Sequence, residues 1–164
     1  MTGRWPLRWV FPGLIWGLAL GGGPTPAWAQ DANFSSIVGA AVLCLDDVEP
    51  GFFYNYLSRG KRPYKREQGA YWFKMTEQLY GAPITEVFVS DGSGRAAFVG
   101  MISSLPPPQL VEAITAGSPA GVTFRKVNGA DKFPTFASSA GAEVVYQGKN
   151  GKIFCRRDRS RLRD

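Results

Sequence analysis

The two cysteines, Cys44 and Cys155, are the residues of this sequence whose chemistry is easiest to define. The chain has no histidine, which excludes a Ser-His-Asp triad, a Cys-His pair and histidine ligation of a metal ion. One intramolecular disulfide is possible, and it would close a loop of about 110 residues, a constraint worth about 4–5 kcal/mol by chain entropy. We predict this disulfide for a protein in an oxidising compartment; the alternative is two buried free thiols.

Carboxylates are the remaining candidates for catalysis. Asp46, Asp47 and Glu49 are clustered, and Glu86 and Asp91 lie at either end of a predicted strand segment. Paired carboxylates can hydrolyse glycosides or bind Ca²⁺. Helix capping and a turn account for most of these positions without a catalytic role. We therefore predict no catalytic residue, no metal site and no cofactor, and a carboxylate-based hydrolase is the least favoured alternative.

The segment from residue 52 to residue 73 is rich in aromatic side chains, and basic side chains are interleaved with them. Such a mixture can bind single-stranded nucleic acid, a sugar or a protein partner. The alternative is that the rings fill the core while the basic residues occupy a solvated loop. We predict a partner-binding site in this loop, formed by Arg62, Tyr64, Lys65 and Arg66.

The sequence predicts one buried strand and two helices that help to position these residues. The apolar run Ile37–Leu45 predicts a buried strand that ends near Cys44. A proline in the first turn and apolar residues at helical spacing predict a helix over residues 50–58. The proline run 106–108, which is rigid and extended, precedes a second predicted helix that ends at Gly117.

Alternating apolar residues and turn signals predict the rest of the sheet. Segments 84–90 and 96–102 form a hairpin around a glycine-rich turn, with Ile84, Glu86 and Phe88 on one face. Asn150-Gly151 predicts a second hairpin near the C-terminus. Further strands are predicted over residues 70–74, over 122–127 and, as a weak edge strand, over 132–139. The fold class is therefore α+β, a mostly antiparallel sheet of five to seven strands with two short helices on one face and one disulfide.

The first thirty residues have the pattern of a secretory signal peptide. Arg4 and Arg8 precede the apolar run Trp9–Leu20, and Ala27-Trp28-Ala29 supplies a cleavage site. The alternative is an uncleaved membrane anchor, but the apolar run is shorter than the roughly 20 residues that a membrane-spanning helix needs. We expect a signal peptide over residues 1–29, a linker over 30–36, a single α+β domain over 37–155 and a basic disordered tail over 156–164.

The positive charge of the chain is unevenly distributed. Nineteen Lys and Arg stand against thirteen Asp and Glu, for a net charge of +6. Five arginines lie within residues 156–164. We expect peripheral contact of these C-terminal arginines with an anionic membrane surface or an acidic protein; a solvated terminus is the alternative.

Three short segments resemble small uncharacterised exported proteins of cyanobacteria: Gly69–Lys74, Val87–Gly92 and Phe98–Gly100. The end of the signal peptide, Pro26–Gln30, is similar to theirs as well. The resemblance implies a location in the periplasm or thylakoid lumen, with the extracellular space as the alternative, and it carries over no catalytic residue.

We expect a small exported domain that is not an enzyme and that binds another macromolecule, as an accessory subunit of an envelope or thylakoid complex. The partner is expected to be a protein, because an exported protein does not meet nucleic acid. The alternative is a periplasmic inhibitor of a lysozyme-like or proteolytic hydrolase, since a rigid disulfide-tied domain binds with little ordering cost.

Overall fold

A computed structural model describes residues 33–118, 121–127 and 132–159. The predicted signal peptide, the first three residues of the predicted linker and residues 160–164 of the predicted tail lie outside the described residues. Within the described ranges, no helix combines the length and the hydropathy needed to cross a lipid bilayer.

The described chain contains three helices and eight strands. Helix α1 begins as a π-helical segment, Ser35–Gly39, and continues as Ala40–Val42; α2 is Pro50–Ser58 and α3 is Pro107–Gly117. The strands are β1 Lys65–Glu67, β2 Ala70–Leu79, β3 Ala82–Ser90, β4 Ala96–Ser103, β5 Phe124–Lys126, β6 Phe136–Ser138, β7 Glu143–Gln147 and β8 Asn150–Asp158. The predicted α+β class is confirmed, with one strand more than the upper limit expected and one additional helix.

All eight strands form one antiparallel sheet in the order β1-β2-β3-β4-β8-β7-β6-β5. The sheet consists of two four-stranded meanders, which meet where β4 pairs with β8 from Ala96–Asp158 to Ser103–Gly151. Helix α2 precedes the first meander and α3 precedes the second. The order of elements therefore repeats a unit of one helix and four strands, and the last strands of the two units pair with each other in the middle of the sheet.

The three helices lie on one face of the sheet and bury the main core against it. Val38, Phe53 and Leu110, one from each helix, belong to the same buried cluster as the strand residues Phe73 and Ile153. Helices α2 and α3 both start at a proline, whose fixed φ suits the first helical turn. Helix α2 has the residue range expected from the sequence, whereas α3 ends at Gly117 as expected but begins at Pro107, inside the proline run that was expected to precede it.

The strand predicted over Ile37–Leu45 is wrong, because this segment forms most of α1 and the turn that follows it. Val38, Ala41 and Val42 are all fully buried, since α1 packs across β2, β4 and β8. A helix that is buried on most of its surface has no polar face. Its short apolar run therefore cannot be distinguished from a buried strand by periodicity.

The predicted disulfide is confirmed. Cys44 lies in the turn after α1 and bonds to Cys155 of β8, with 5.2 Å between their Cα atoms. Both residues are buried, and the Arg157 guanidinium donates a hydrogen bond of 3.1 Å to the carbonyl oxygen of Cys44. The bond joins a loop to a strand, and it ties the helical layer to the centre of the sheet.

The hairpin predicted over residues 84–102 is confirmed as β3 and β4, but one face assignment is wrong. A register shift between Ile84 and Glu86 interrupts the alternation of β3. Ile84 consequently joins the core beneath the helices, whereas Phe88 belongs to a separate buried cluster of strand residues. The bulge adds a residue to one strand, which moves the side chains before it to the other face.

The C-terminal hairpin is also confirmed, with its turn shifted. Gln147 pairs with Asn150, so the turn residues are Gly148 and Lys149, and Gly148 adopts the positive φ that the turn requires. Gly151 lies within β8. A side chain there would collide with Leu110 of α3, so this glycine permits close helix–sheet packing.

The limits of the folded region differ from the predicted ones at both ends. Helix α1 begins at Ser35, inside the predicted linker, and β8 continues to Asp158, inside the predicted tail. The predicted edge strand over 132–139 is β6, which lies between β5 and β7. Pro134 precedes β6, so it does not interrupt the hydrogen-bond ladder. The edge strand at this end of the sheet is β5.

Candidate functional site

The sheet face opposite the helices carries the most distinctive group of side chains. We call this surface the open face, because none of the three described helices packs on it. Four aromatic residues lie there on four successive strands: Trp72, Phe88, Phe98 and Phe154. The strand pairs Trp72–Phe88, Phe88–Gly100 and Gly100–Phe154 align three of the rings across the sheet, and Phe98 adjoins them, two residues from Gly100 on β4. We call the four rings the aromatic row.

The rings of this row contact one another. The centroids of Trp72 and Phe88 are 4.8 Å apart with 30° between the ring planes, and those of Phe88 and Phe98 are 6.1 Å apart. Trp72 and Phe88 are only 4% and 2% exposed, although no described helix covers them. Phe98 and Phe154 are half-buried and form the accessible part of the row.

Two lysines of the open face are paired with carboxylates. The Lys65 ammonium lies 4.5 Å from the Trp72 ring centroid and donates a hydrogen bond of 2.9 Å to Glu67, which raises the pKa of Lys65. The Lys74 ammonium pairs with Glu86, which likewise raises the pKa of Lys74. Intramolecular acids therefore neutralise both cations.

Lys152 of β8 has a different environment. Its ammonium is surrounded by three rings, at 4.6 Å from the Phe88 centroid, 5.6 Å from that of Phe154 and 5.9 Å from that of Trp72. Within the described part of the chain, no carboxylate pairs with it. Burial lowers the pKa of Lys152, because removal of water disfavours the charged form. The favourable electrostatic contacts of the Lys152 ammonium with described residues are therefore its cation–π contacts with the three rings.

The four predicted partner-binding residues occupy two different surfaces. Tyr64 and Lys65 lie on the open face, where Tyr64 is exposed and its hydroxyl donates a hydrogen bond of 3.2 Å to Glu86. Arg66 points to the helical side, where its Nε donates to Asp91 over 2.7 Å and its guanidinium lies over the Tyr71 ring. Arg62 is exposed in the loop before β1. The structure therefore does not bring the four together.

Sequence reasoning missed the residues that complete the open face, above all Lys152, Phe88 and Phe154. A signal for them was present. In β3 and β8, large apolar residues occupy both faces of the strand, as in the run Ile153-Phe154-Cys155. A strand that faces solvent on one side alternates apolar and polar residues, so apolar residues on both faces indicate a second buried surface.

Two of the candidate carboxylates, Glu86 and Asp91, are paired with basic side chains of the chain. Asp91 accepts hydrogen bonds from the Ser93 backbone N–H and hydroxyl and from Arg66. The two Ser93 hydrogen bonds and then Arg66 hold the pKa of Asp91 well below its usual range, so it carries no proton for acid catalysis. Among the described residues, no three Cys, Asp or Glu side chains are grouped so that they could hold a metal ion.

Comparison of the chain with protein-family models, with curated proteins and with solved structures finds no match. The comparisons thus give no positive indication of an enzymatic activity. Among the described residues, the open face offers groups suited to recognition: aromatic surface, two lysines paired with acids, and the Lys152 ammonium, which has no carboxylate beside it.

Proposed function

We propose that this protein is a small, exported, non-enzymatic domain that binds an acidic protein partner through the open face of its sheet. It acts as an accessory subunit of a complex in the periplasm or the thylakoid lumen. The observation that carries the proposal is Lys152, a half-buried ammonium among three aromatic rings with no carboxylate beside it in the described chain.

A carboxylate from a partner would complete this site. Half-burial of the Lys152 ammonium has already removed part of its hydration, so an incoming acid faces less desolvation than at a fully hydrated lysine. Phe98 and Phe154 provide aromatic contact area next to it, and aromatic residues are enriched at protein interfaces. Arg156 is exposed beside Phe98, opposite it in the β4–β8 ladder, and adds a second positive charge.

Two features support export. The N-terminal thirty residues have the signal-peptide pattern, and the buried Cys44–Cys155 disulfide is of the kind that forms outside the reducing cytosol. The resemblance to exported cyanobacterial proteins favours the periplasm or the thylakoid lumen over the extracellular space.

Affinity capture from an envelope extract of the host tests the proposal. Wild-type protein, Lys152→Glu and the control Lys149→Glu are compared; Lys149 is exposed in the β7–β8 turn, away from the ring cluster. We expect wild type and Lys149→Glu to retain the same acidic protein, and Lys152→Glu to lose at least tenfold in affinity. Charge attraction also predicts weaker capture at high salt.

Equal capture by all three proteins would contradict the proposal, provided that circular dichroism shows all three to be folded. If the captured partner is a hydrolase, its activity with and without the domain distinguishes an inhibitor from an accessory subunit.

A further inference from the structure

A cleft lies at one end of the molecule, between the N-terminal turn of α2 and the β3–β4 hairpin. It encloses about 430 Å³, within the range of about 300–1,000 Å³ that is typical of small-ligand sites. Its lining combines two tyrosines, Tyr54 and Tyr71, with polar groups from α2, from the hairpin and from the end of β8.

The two tyrosines give the cleft an aromatic wall. Their ring centroids are 4.6 Å apart with 50° between the planes, and both side chains are half-buried. Tyr54 also contacts Phe73 of the core, and the Arg66 guanidinium lies 5.2 Å from the Tyr71 centroid. These contacts fix the rings, so a ligand would meet a preformed surface and little ordering cost.

Some polar side chains of the cleft already have hydrogen-bond partners within the protein, and others are available to a ligand. Asp91 is occupied, because Ser93 and Arg66 already donate to both of its carboxylate oxygens. Glu49 is available: it is exposed, and its carboxylate does not cap the N-terminus of α2. Asn55 is exposed on the next turn of that helix.

A cation completes the polar lining. One guanidinium nitrogen of Arg159 donates to the carbonyl oxygen of Gly92 over 2.7 Å, and Arg159 is one of the residues that line the cleft. The carboxylates of Glu49 and Asp91 balance the guanidinium groups of Arg66 and Arg159. A cleft with no net charge, with both donors and acceptors, does not select an ion.

We infer that this cleft binds a neutral saccharide. Sugar rings have apolar C–H faces that pack on aromatic rings, which Tyr54 and Tyr71 supply, and hydroxyl groups that both donate and accept hydrogen bonds. Glu49 accepts from a hydroxyl, Arg159 donates to one, and the Asn55 amide does both. The site is separate from the open face, so it stands or falls independently of the proposed protein partner.

A nuclear magnetic resonance titration of the ¹⁵N-labelled mature protein tests the inference, with chitotriose, cellotriose and maltotriose as probes. We expect at least one trisaccharide at millimolar concentration to shift the amide signals of Asn55 and Gly92. The double variant Glu49→Gln/Asn55→Ala should weaken that binding at least tenfold. The control Gln147→Ala, an exposed amide on β7, should leave it unchanged.

Three results would overturn the inference: no trisaccharide shifts the cleft amides, the double variant binds as well as wild type, or short neutral peptides shift these amides while the sugars do not. Both substituted residues are exposed, and matching amide spectra outside the cleft would verify that the double variant is folded.

Discussion

The ring of Phe88 on β3 lies directly over Gly100, its partner on β4, and fills the space that a side chain at position 100 would need. Phe154 borders the same glycine from β8. Because Gly100 has no side chain, the Phe88 ring can occupy the space above it on the open face. The missing side chain at position 100 thus allows Phe88 of β3 to contact both Trp72 of β2 and Phe98 of β4.

Gly100→Ala should lower the free energy of unfolding by about 1–3 kcal/mol, because the new methyl group overlaps the Phe88 ring and the backbone of β8. Gly94→Ala is the matched control: the space around Gly94 is open, and the expected change is within about 0.5 kcal/mol. Urea unfolding measures both. Equal effects of the two substitutions would show that Phe88 does not occupy this space.

The helix over residues 50–58 could be predicted because a proline at the first turn and apolar residues at helical spacing agree. The helix over 107–117 could be predicted from its apolar spacing and its terminal glycine, although its first turn lies within the proline run that was expected to precede it. The two hairpins could be predicted from their turns. The segment over 37–45 could not, because the sequence does not reveal that α1 is enclosed on most sides. Tertiary burial, rather than local propensity, decides its conformation.

The candidate site was predicted less well than the fold. Tyr64 and Lys65 do lie on the open face, but Arg66, the next residue, projects to the other side of β1 and pairs with Asp91. Sequence proximity groups these residues, whereas the alternation of a strand separates them. Lys152 lies far away in the chain and joins Phe88 only through the β4–β8 pairing.

The Cys44–Cys155 bond should contribute a large part of the stability, since the two residues are 111 apart in sequence. For the variant Cys44→Ala/Cys155→Ala we expect the free energy of unfolding to fall by about 4–5 kcal/mol, the chain-entropy value for a loop of this size. Urea unfolding measures the loss. An unchanged unfolding midpoint in the variant would show that the bond does not constrain the unfolded chain.

Asp91 should make stability depend on pH in the acidic range. Its folded-state pKa is depressed by hydrogen bonds from Ser93 and by Arg66, so its contribution is complete above the unfolded value of about 3.9. It is lost as the pH falls from there toward the lower folded-state pKa. Asp91→Asn should therefore be less stable than wild type at neutral pH, and the difference should narrow between about pH 4 and pH 2.

Urea midpoints measured across that pH range provide the test. Asp47→Asn, which removes an exposed carboxylate before α2, is the control for the loss of one negative charge. A difference between Asp91→Asn and wild type that stays constant with pH would contradict the role assigned to the hydrogen bonds around Asp91.

The charge of Lys152 should lower the free energy of unfolding while strengthening the binding of the partner. Lys152→Met keeps the apolar stem and removes a charge that burial disfavours, so the variant should be at least as stable as wild type. Partner capture should nevertheless fall. Lys74→Met is the control, because it removes a cation already paired with Glu86 and should give no gain in stability. A loss above about 1 kcal/mol for Lys152→Met would show that cation–π contacts outweigh desolvation.

The most direct test of the central claim is photo-crosslinking from the open face. A photoreactive phenylalanine analogue is placed at position 98, on that face, or at position 112, which is exposed on α3, and each protein is irradiated in host envelope extract. We predict a covalent adduct with one acidic protein from position 98 and none with that protein from position 112. Adducts with that protein from position 112 alone, or equally from both positions, would contradict the assignment of the open face as the binding surface.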